Sequence, residues 1–481
     1  MKPKLSTDLP GFWLPATGLL LVTVLRFLFI ETNDVAMDEP FTVFFAQADL
    51  HTLFGMLPHE NNPPLYFLLM HYWVAWFSIS PFPIRFLSCI FSILTAVMLY
   101  KTGKDFFSQH AGIFAAALFT LSDYHQLFAH EARVYALFAL LTTVSMYLFL
   151  ASTTKPARKQ YFLLMALTNA LLIYAHFFGF FIFLIQALSV LSIREYRRTI
   201  LKPYLGSVIF SLLAYIPYFP IFFKRFFQSA AGGTWVEPPV ISDLYTMLWR
   251  YMNAPVVTVA ALVILAVALM NLISGAWKGG TVLNNRNIVL LIWFFVPYIL
   301  MFLVSFIIPM FLDRYTVFIS VGFYLLVAMA VNSLFKESKY SIILMTAFIL
   351  MMAVTFHPGV DNKRRLKETI GFISGNKGPH TSVIICPQWL EYGFMYHYDQ
   401  QKFKDYRHLR ALLNQDGIYP ANDLSALDTV KFRECDQVLY FEEWASVADP
   451  GKTISDYLER RFRFNETFTF YQNIKVHQYV K

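Results

Sequence analysis

Apolar residues in this chain come in long, nearly unbroken blocks. Stretches 11–30 (interrupted only by Arg26), 256–273, 288–308 and 315–334 each approach or reach the roughly 20 apolar residues that cross a bilayer. Blocks of that length predict membrane-spanning helices, not the one-sided helices of a soluble core. Taking every apolar run as a crossing fails, because stretch 63–77 would then put Lys101 and Lys104 outside. That stretch is better read as lying along, or dipping into, the outer interface. Its start, His59-Glu60-Asn61-Asn62-Pro63-Pro64, and its aromatic content (Tyr66, His71, Tyr72, Trp73, Trp76) suit an interfacial helix. The predicted crossings are then 11–30, 84–101, 111–127, 132–152, 161–175, 178–193, 204–222, 254–275, 288–308, 316–335 and 340–356, eleven in all.

The charges agree with this alternation. Inner loops hold Lys101 and Lys104, then Lys155, Arg158 and Lys159, then Arg194, Arg197, Arg198 and Lys202, then Lys278 and Arg286, and last Lys336 and Lys339. The first outer loop, 31–83, has no Lys or Arg at all, which is the asymmetry that the positive-inside rule describes. From about Asp361 the composition becomes that of a soluble domain. Runs 381–386 and 437–441 read as strands, 454–462 as a helix and 468–480 as one or two strands. The expected fold is therefore an α-helical polytopic membrane protein, residues 1–356, with interfacial helices in the first outer loop. A small α/β domain, 357–481, follows, and an odd number of crossings makes it extracytoplasmic.

Composition supports the membrane reading: 57% of residues are hydrophobic, only 15% are charged, and there are 50 Phe and 27 Tyr. A soluble chain would be nearer a quarter charged. The net charge of +8 reports topology and not nucleic-acid binding, since so many basic residues lie in short inner loops. Lys2 and Lys4 precede the first apolar block as in a signal peptide, but the block is long and lacks a small-residue cleavage site, so it reads as a retained span. Cys89 falls in a span, while Cys386 and Cys435 either pair or stay as two buried thiols. Asn465-Glu466-Thr467 matches a glycosylation sequon that occurs readily by chance.

Four polar groups collect at the outer boundary under this topology. They are Asp38-Glu39 after the first span, Glu131 with Arg133, His176 in a tight turn, and Asp313-Arg314-Tyr315 before span 316–335. Any one could merely cap or snorkel at a helix end. Four on one side, mixing carboxylates, arginines and an imidazole, point to a site. A carboxylate can take the proton from an acceptor hydroxyl while arginines hold a phosphate leaving group, which describes sugar transfer from a lipid phosphate. No P-loop and no G-x-G-x-x-G after a strand occurs, and such a donor needs no nucleotide pocket. Tyr124, His125 and His130 read as packing residues, and 232–239, with Trp235 and Glu237, as a loop that either covers a substrate or simply connects two spans.

Five motifs, in order and spacing, resemble the GT-C superfamily of membrane glycosyltransferases, in the branch with protein O-mannosyltransferases and lipid A aminoarabinose transferases. They are Met37-Asp38-Glu39-Pro40, Asn61-Asn62-Pro63-Pro64-Leu65-Tyr66, His130-Glu131-Ala132-Arg133-Val134-Tyr135, Tyr174-Ala175-His176-Phe177-Phe178-Gly179 and Asp313-Arg314-Tyr315. The resemblance spans roughly 11–335. It implies an inverting transfer from a polyprenyl-phosphate-linked sugar, on the periplasmic or lumenal face, to a glycan, lipid or protein acceptor. Asp38 carries over as catalytic base with Glu39 beside it, and Glu131 as the second acidic residue, where several relatives have Asp. Arg314 carries over as a donor-phosphate ligand, and Arg133, His176 and Tyr315 join it as expected substrate-binding residues. Some members use a divalent metal; no His/carboxylate pair here has ligand spacing, so metal ligands are unassigned. The expected location is a cell membrane, the bacterial inner membrane. The competing reading is a transporter or flippase of lipid-linked sugars, which would place charges at mid-membrane and show matched broken helices in internal repeats. The sequence shows neither.

A cysteine label or reporter at Lys104 or Arg197 is expected to be cytoplasmic, and one at Gly232 or Gly451 external. Labelling of Gly232 and Lys104 from the same side would dismantle the grouping of polar residues on one face.

Overall fold

The computed structural model of the chain describes residues 9–232, 236–277, 284–335, 338–428, 430, 432–471 and 473–481. Helices run Leu9–Phe27 (α1), Asp38–Ala46 (α2), Leu50–Met56 (α3), Leu65–Trp76 (α4), Pro81–Phe106 (α5), Gln109–Thr120 (α6) and Asp123–Ala129 (α7). They continue as Tyr135–Thr154 (α8), Lys159–Ala175 (α9), Phe180–Ser192 (α10), Arg194–Thr199 (α11), Leu201–Tyr215 (α12) and Phe219–Gly232 (α13). Asp243–Tyr251 (α14), Pro255–Trp277 (α15), Asn285–Val304 (α16), Val317–Leu334 (α17) and Ser338–Val354 (α18) complete the apolar part. Among the described residues six helices are long and apolar enough to cross a membrane, and shorter apolar helices accompany them. This is a multi-pass integral membrane protein. The Trp235 stretch of loop 232–239 lies outside the described residues.

Two compact units form. The first contains Met1–Leu28, Phe54–Tyr66 and Arg85–Val360, and the second Phe29–Leu53, Phe67–Ile84 and Asp361–Lys481.

In the first unit, helices are joined by polar contacts whose value comes from the absence of water as a competitor. Ser145 of α8 donates to Asn169 of α9 at 2.5 Å, Asn169 donates to Gln186 of α10 at 3.0 Å, and Gln186 donates back to Ser145 at 2.8 Å, closing a ring. Ser207 and Ser211 of α12 reach the carbonyls of Phe162 and Ala166 on α9 at 2.9 and 2.8 Å. Trp293 of α16 donates to Phe318 O on α17 at 3.0 Å. The predicted crossing 111–127 is a broken helix, α6 then α7. Asn253 stitches the break: its amide donates to Leu121 O at 2.7 Å and its Oδ1 accepts the Asp123 N–H at 2.8 Å. Ser122-Asp123, a helix-start pair, marks the break in the sequence, and a partner 130 positions away satisfies the freed backbone groups.

In the second unit, strands Thr381–Cys386 (β1), Ile418–Pro420 (β2), Gln437–Glu443 (β3), Arg463–Tyr471 (β4) and Ile474–Val480 (β5) form one sheet in the order β2-β1-β3-β5-β4. β2, β1 and β3 are parallel, while β5 runs antiparallel to β3 and to β4. All six residues of β1 are buried, as expected for a strand covered on both faces. Its helices include Leu366–Asn376 (α19) and Glu391–Tyr398 (α20). α2 joins this unit through Phe41 and Phe44, whose rings lie 5.2 and 5.0 Å from Tyr392 of α20. A buried ion pair links Arg364 to Glu443. Cys386 and Cys435 are two free buried thiols, and Cys435 Sγ lies 2.9 Å from Ser382 Oγ.

α5 and α6 approach closely through Gly103 and Gly112. A Cβ on Gly112 would sit 2.4 Å from Tyr100 O and 2.8 Å from Lys104 N, both backbone atoms that cannot swing away. Gly112→Ala is therefore expected to cost about 1–3 kcal/mol and to lower the detergent melting temperature by several degrees. Gly206→Ala, with open space around it, should leave the melting temperature unchanged or slightly higher.

Candidate active site

Arg133 is buried in the segment between α7 and α8. Its carbonyl accepts from Ser88 Oγ at 3.4 Å, and Ser88 is held in turn by Tyr66 Oη at 3.0 Å. One end of its guanidinium donates to Glu60 Oε1 at 3.4 Å, and Glu60 also accepts from Asn62 Nδ2 at 3.0 Å. Glu60 was not among the residues singled out for chemistry. The visible signal was its place in the polar start of the interfacial stretch, directly ahead of the Asn61–Tyr66 motif. Glu131, in the same segment, is half-buried and passes its carbonyl to the Arg133 N–H at 2.8 Å.

His176 ends α9 in extended conformation and its Nδ1 accepts the N–H of Phe178 at 3.2 Å. That bond leaves the ring proton on Nε2, which is buried and has no hydrogen-bond partner among the described residues. The ring stacks on Phe138, 4.7 Å away at 12°, and meets the Tyr315 ring edge-on at 5.7 Å. Gly179 completes the turn where a Cβ would strike Leu172 O at 2.8 Å, so α9 and the next turn approach closely only with glycine there. Burial pushes the imidazole down to about 3, helped by the positive charges of Arg133 and Arg314. The ring is thus a neutral donor between two guanidinium groups.

Arg314 sits over the Tyr315 ring, 5.9 Å from its centroid. The neighbouring carboxylate of Asp313 is engaged elsewhere: it pairs with Arg250 of α14, and its Oδ1 accepts the Arg314 backbone N–H at 2.7 Å. Tyr124 donates to Asp313 O, so one of the expected packing tyrosines also fixes this turn. His125 packs on Phe119, with ring centroids 4.1 Å apart, and bonds Ser320 Oγ at 2.9 Å. His130 Nε2 lies 2.9 Å from Arg26 O.

Of the expected site residues, the first unit brings Arg133, His176, Arg314 and Tyr315 together, with Glu60 added. Asp38 and Glu39 belong to the second unit, in the first turn of α2, where the helix N-terminus favours negative charge. Glu39 is buried and Asp38 half-buried. Met37, just before them, has φ 55°, a sparsely populated conformation for a side chain of its size. Among the described residues no three His, Cys, Asp or Glu side chains are grouped as metal ligands.

Residues 61–221 match the family model described as dolichyl-phosphate-mannose-protein mannosyltransferase. In overall structure the chain is similar to ArnT from Cupriavidus metallidurans bound to undecaprenyl phosphate, at 11% identity and a TM-score of 0.61, covering 97% of this chain and 98% of that one. The chain has the same overall fold as that protein. It is also similar to the Archaeoglobus fulgidus oligosaccharyltransferase in complex with Zn and sulfate, at 11% identity and TM-score 0.55, covering 89% of this chain and 67% of that one. The archaeal oligosaccharyltransferase AglB from Archaeoglobus fulgidus, in complex with an inhibitory peptide and a dolichol-phosphate, matches at 9% identity and TM-score 0.55, over 90% and 70% of the two chains. No curated protein matches the sequence.

The His176 environment fixes a pH dependence. Its folded pKa of about 3 lies below the unfolded value of about 6.5, so as pH falls the unfolded chain takes the proton first. Its contribution is present above about pH 6.5 and lost from there down towards about 3, at no more than about 1.4 kcal/mol per pH unit. His130, pushed down to about 4 mainly by burial, adds the same sign. Melting temperatures measured from pH 8 to 4 should fall below pH 6.5 in the wild type, and His176→Phe should make that fall shallower. An unchanged slope would mean that His176 is not held neutral.

Proposed function

We propose that this chain is a membrane glycosyltransferase that moves a sugar from a polyprenyl-phosphate donor to an acceptor hydroxyl on the periplasmic or lumenal face. One observation carries the reading: in the membrane unit His176 meets Tyr315, over which Arg314 lies, and Arg133 and Arg314 are both within electrostatic reach of the neutral imidazole. Guanidinium forks and a buried N–H donor suit phosphate oxygens, as charge-assisted bonds in a site with little competing water. Two supports stand beside it. The mannosyltransferase family model matches 61–221, which includes Glu60's neighbours, Arg133 and His176. The same overall fold occurs in ArnT, whose structure holds undecaprenyl phosphate.

In this reading the acceptor oxygen attacks the anomeric carbon in a single inverting displacement. The acceptor's proton passes to a carboxylate, the bond from the anomeric carbon to the phosphate oxygen breaks, and its electron pair leaves with the lipid phosphate. Asp38 is the base, with Glu39 and Glu131 as accompanying acidic groups. Arg133, Arg314 and His176 hold the phosphate and stabilise the charge that grows on it. Eleven crossings, an extracytoplasmic 357–481 domain and the bacterial inner membrane complete the proposal.

Two substitutions should fail differently. Asp38→Asn is nearly isosteric, so stability should hold while turnover falls by a factor of about 100 or more. Its proton transfer occurs only in the transition state, so the loss belongs in kcat. Arg314→Ala removes a contact made partly in the ground state, worth about 1.5–3 kcal/mol, and should raise the donor KM as well as slow transfer. Arg314→Lys should rescue incompletely because an ammonium lacks the planar fork. Steady-state kinetics with purified protein separate the cases; unchanged turnover in Asp38→Asn would remove Asp38 as base.

A further inference from the structure

Tyr174, Tyr215 and Tyr218 cluster where α9 and α12 end. Ring centroids are 4.9 Å apart for Tyr174 and Tyr215, 5.6 Å for Tyr215 and Tyr218, and 5.9 Å for Tyr174 and Tyr218. Tyr174 Oη donates to Ala214 O at 2.9 Å. Tyr215 and Tyr218 are 0% and 5% exposed, and neither buried hydroxyl has a hydrogen-bond partner among the described residues. Buried phenols ordinarily find one, so two stranded together in one cluster call for an explanation.

The surroundings supply it. Glu60 and Arg225 lie within electrostatic reach of Tyr218, and the Arg225 guanidinium donates to Asn61 Oδ1. Glu60 is also the partner of Arg133. Glu60 thus pairs with Arg133 and lies near Tyr218, while Asn61 accepts from Arg225. Phenol hydroxyls, a carboxylate, an amide and a guanidinium against aromatic faces match a pyranose, with hydroxyls around its rim and C–H bonds on its face. An isoprenoid chain would have no use for the two hydroxyls, and a phosphate, to which phenols can also donate, would be repelled by the Glu60 carboxylate.

We propose that Tyr215 and Tyr218, with Glu60 and Arg225, form the subsite that receives the donor's sugar ring while Arg133 and His176 hold its phosphate. The proposal rests on the sugar-transfer reading. It makes these tyrosines specificity-determining residues, because a hydroxyl left without its partner discriminates against ligands that lack the matching group.

The test uses the full chain, purified in detergent and titrated with undecaprenyl phosphate, undecaprenyl-phosphate-mannose and undecaprenyl-phosphate-glucose. Wild type should bind one of the glycosylated lipids at least about 10-fold tighter than the bare lipid. Tyr215→Phe, Tyr218→Phe and their double variant keep the rings and remove only the hydroxyls. They should lose most of that preference, keep their affinity for bare undecaprenyl phosphate, and melt at or above the wild-type temperature without lipid. Arg225→Gln provides a second route to the same loss of preference. Phe variants that retain the full preference overturn the subsite and leave the sugar-transfer reading intact. Equal loss for bare and glycosylated lipids also overturns it. A wild type with no preference for either glycosylated lipid overturns the subsite as one for a hexose and leaves the sugar-transfer reading, which names no sugar, standing.

Discussion

A guanidinium inside an apolar helix has to be answered by its neighbours, and Arg26 obliges three elements to do so. It is fully buried in α1, donating to Ser92 Oγ of α5 at 2.8 Å, to Phe119 O of α6 at 2.9 Å and to Gln126 of α7, over the Phe119 ring. Its own carbonyl accepts from Cys89 Sγ at 3.1 Å and lies 2.9 Å from His130 Nε2. In a membrane no water stands in for a missing partner, so these bonds fix the register of α1 against α5 and α7. His130 and Gln126 lie just ahead of Arg133, and the segment that delivers Arg133 to Glu60 is thus set by a demand made a hundred residues earlier in the chain.

The same economy shapes the site. A protonated imidazole next to Arg133 and Arg314 would add a third positive charge to a buried place, and burial forbids it. What remains is an N–H that offers direction without charge, beside two groups that carry charge without needing a proton equilibrium. In the sugar-transfer reading, an anion held there would meet ligands whose protonation does not change at any pH above the folded value of His176.

Much of this was legible in the sequence, and the parts that were not share a cause. Apolar blocks marked the helices because bilayer thickness dictates their length. Arg133, His176, Arg314 and Tyr315 stood out because ionisable or polar groups beside spans are costly. Glu60 did not, since its partner lies 73 positions away and no local spacing announces such a pair. Tyr215 and Tyr218 read as ordinary interfacial aromatics; only the burial of their hydroxyls sets them apart. Arg250 was hidden by the ease with which a basic residue near a span passes for topology.

The composition of the second unit sets an order of events during synthesis. Its α2 segment and its sheet are encoded at opposite ends of the chain, with about 280 residues between Ile84 and Asp361. At roughly 5–20 residues per second, the ribosome needs on the order of 15–55 s to make that interval. For longer than that Phe41, Phe44 and Phe45 have no Tyr392 to pack on. An apolar helix waiting at a membrane surface can rest on lipid headgroups in a way that it could not in water, so the bilayer itself serves as the holding place until the last quarter of the chain arrives.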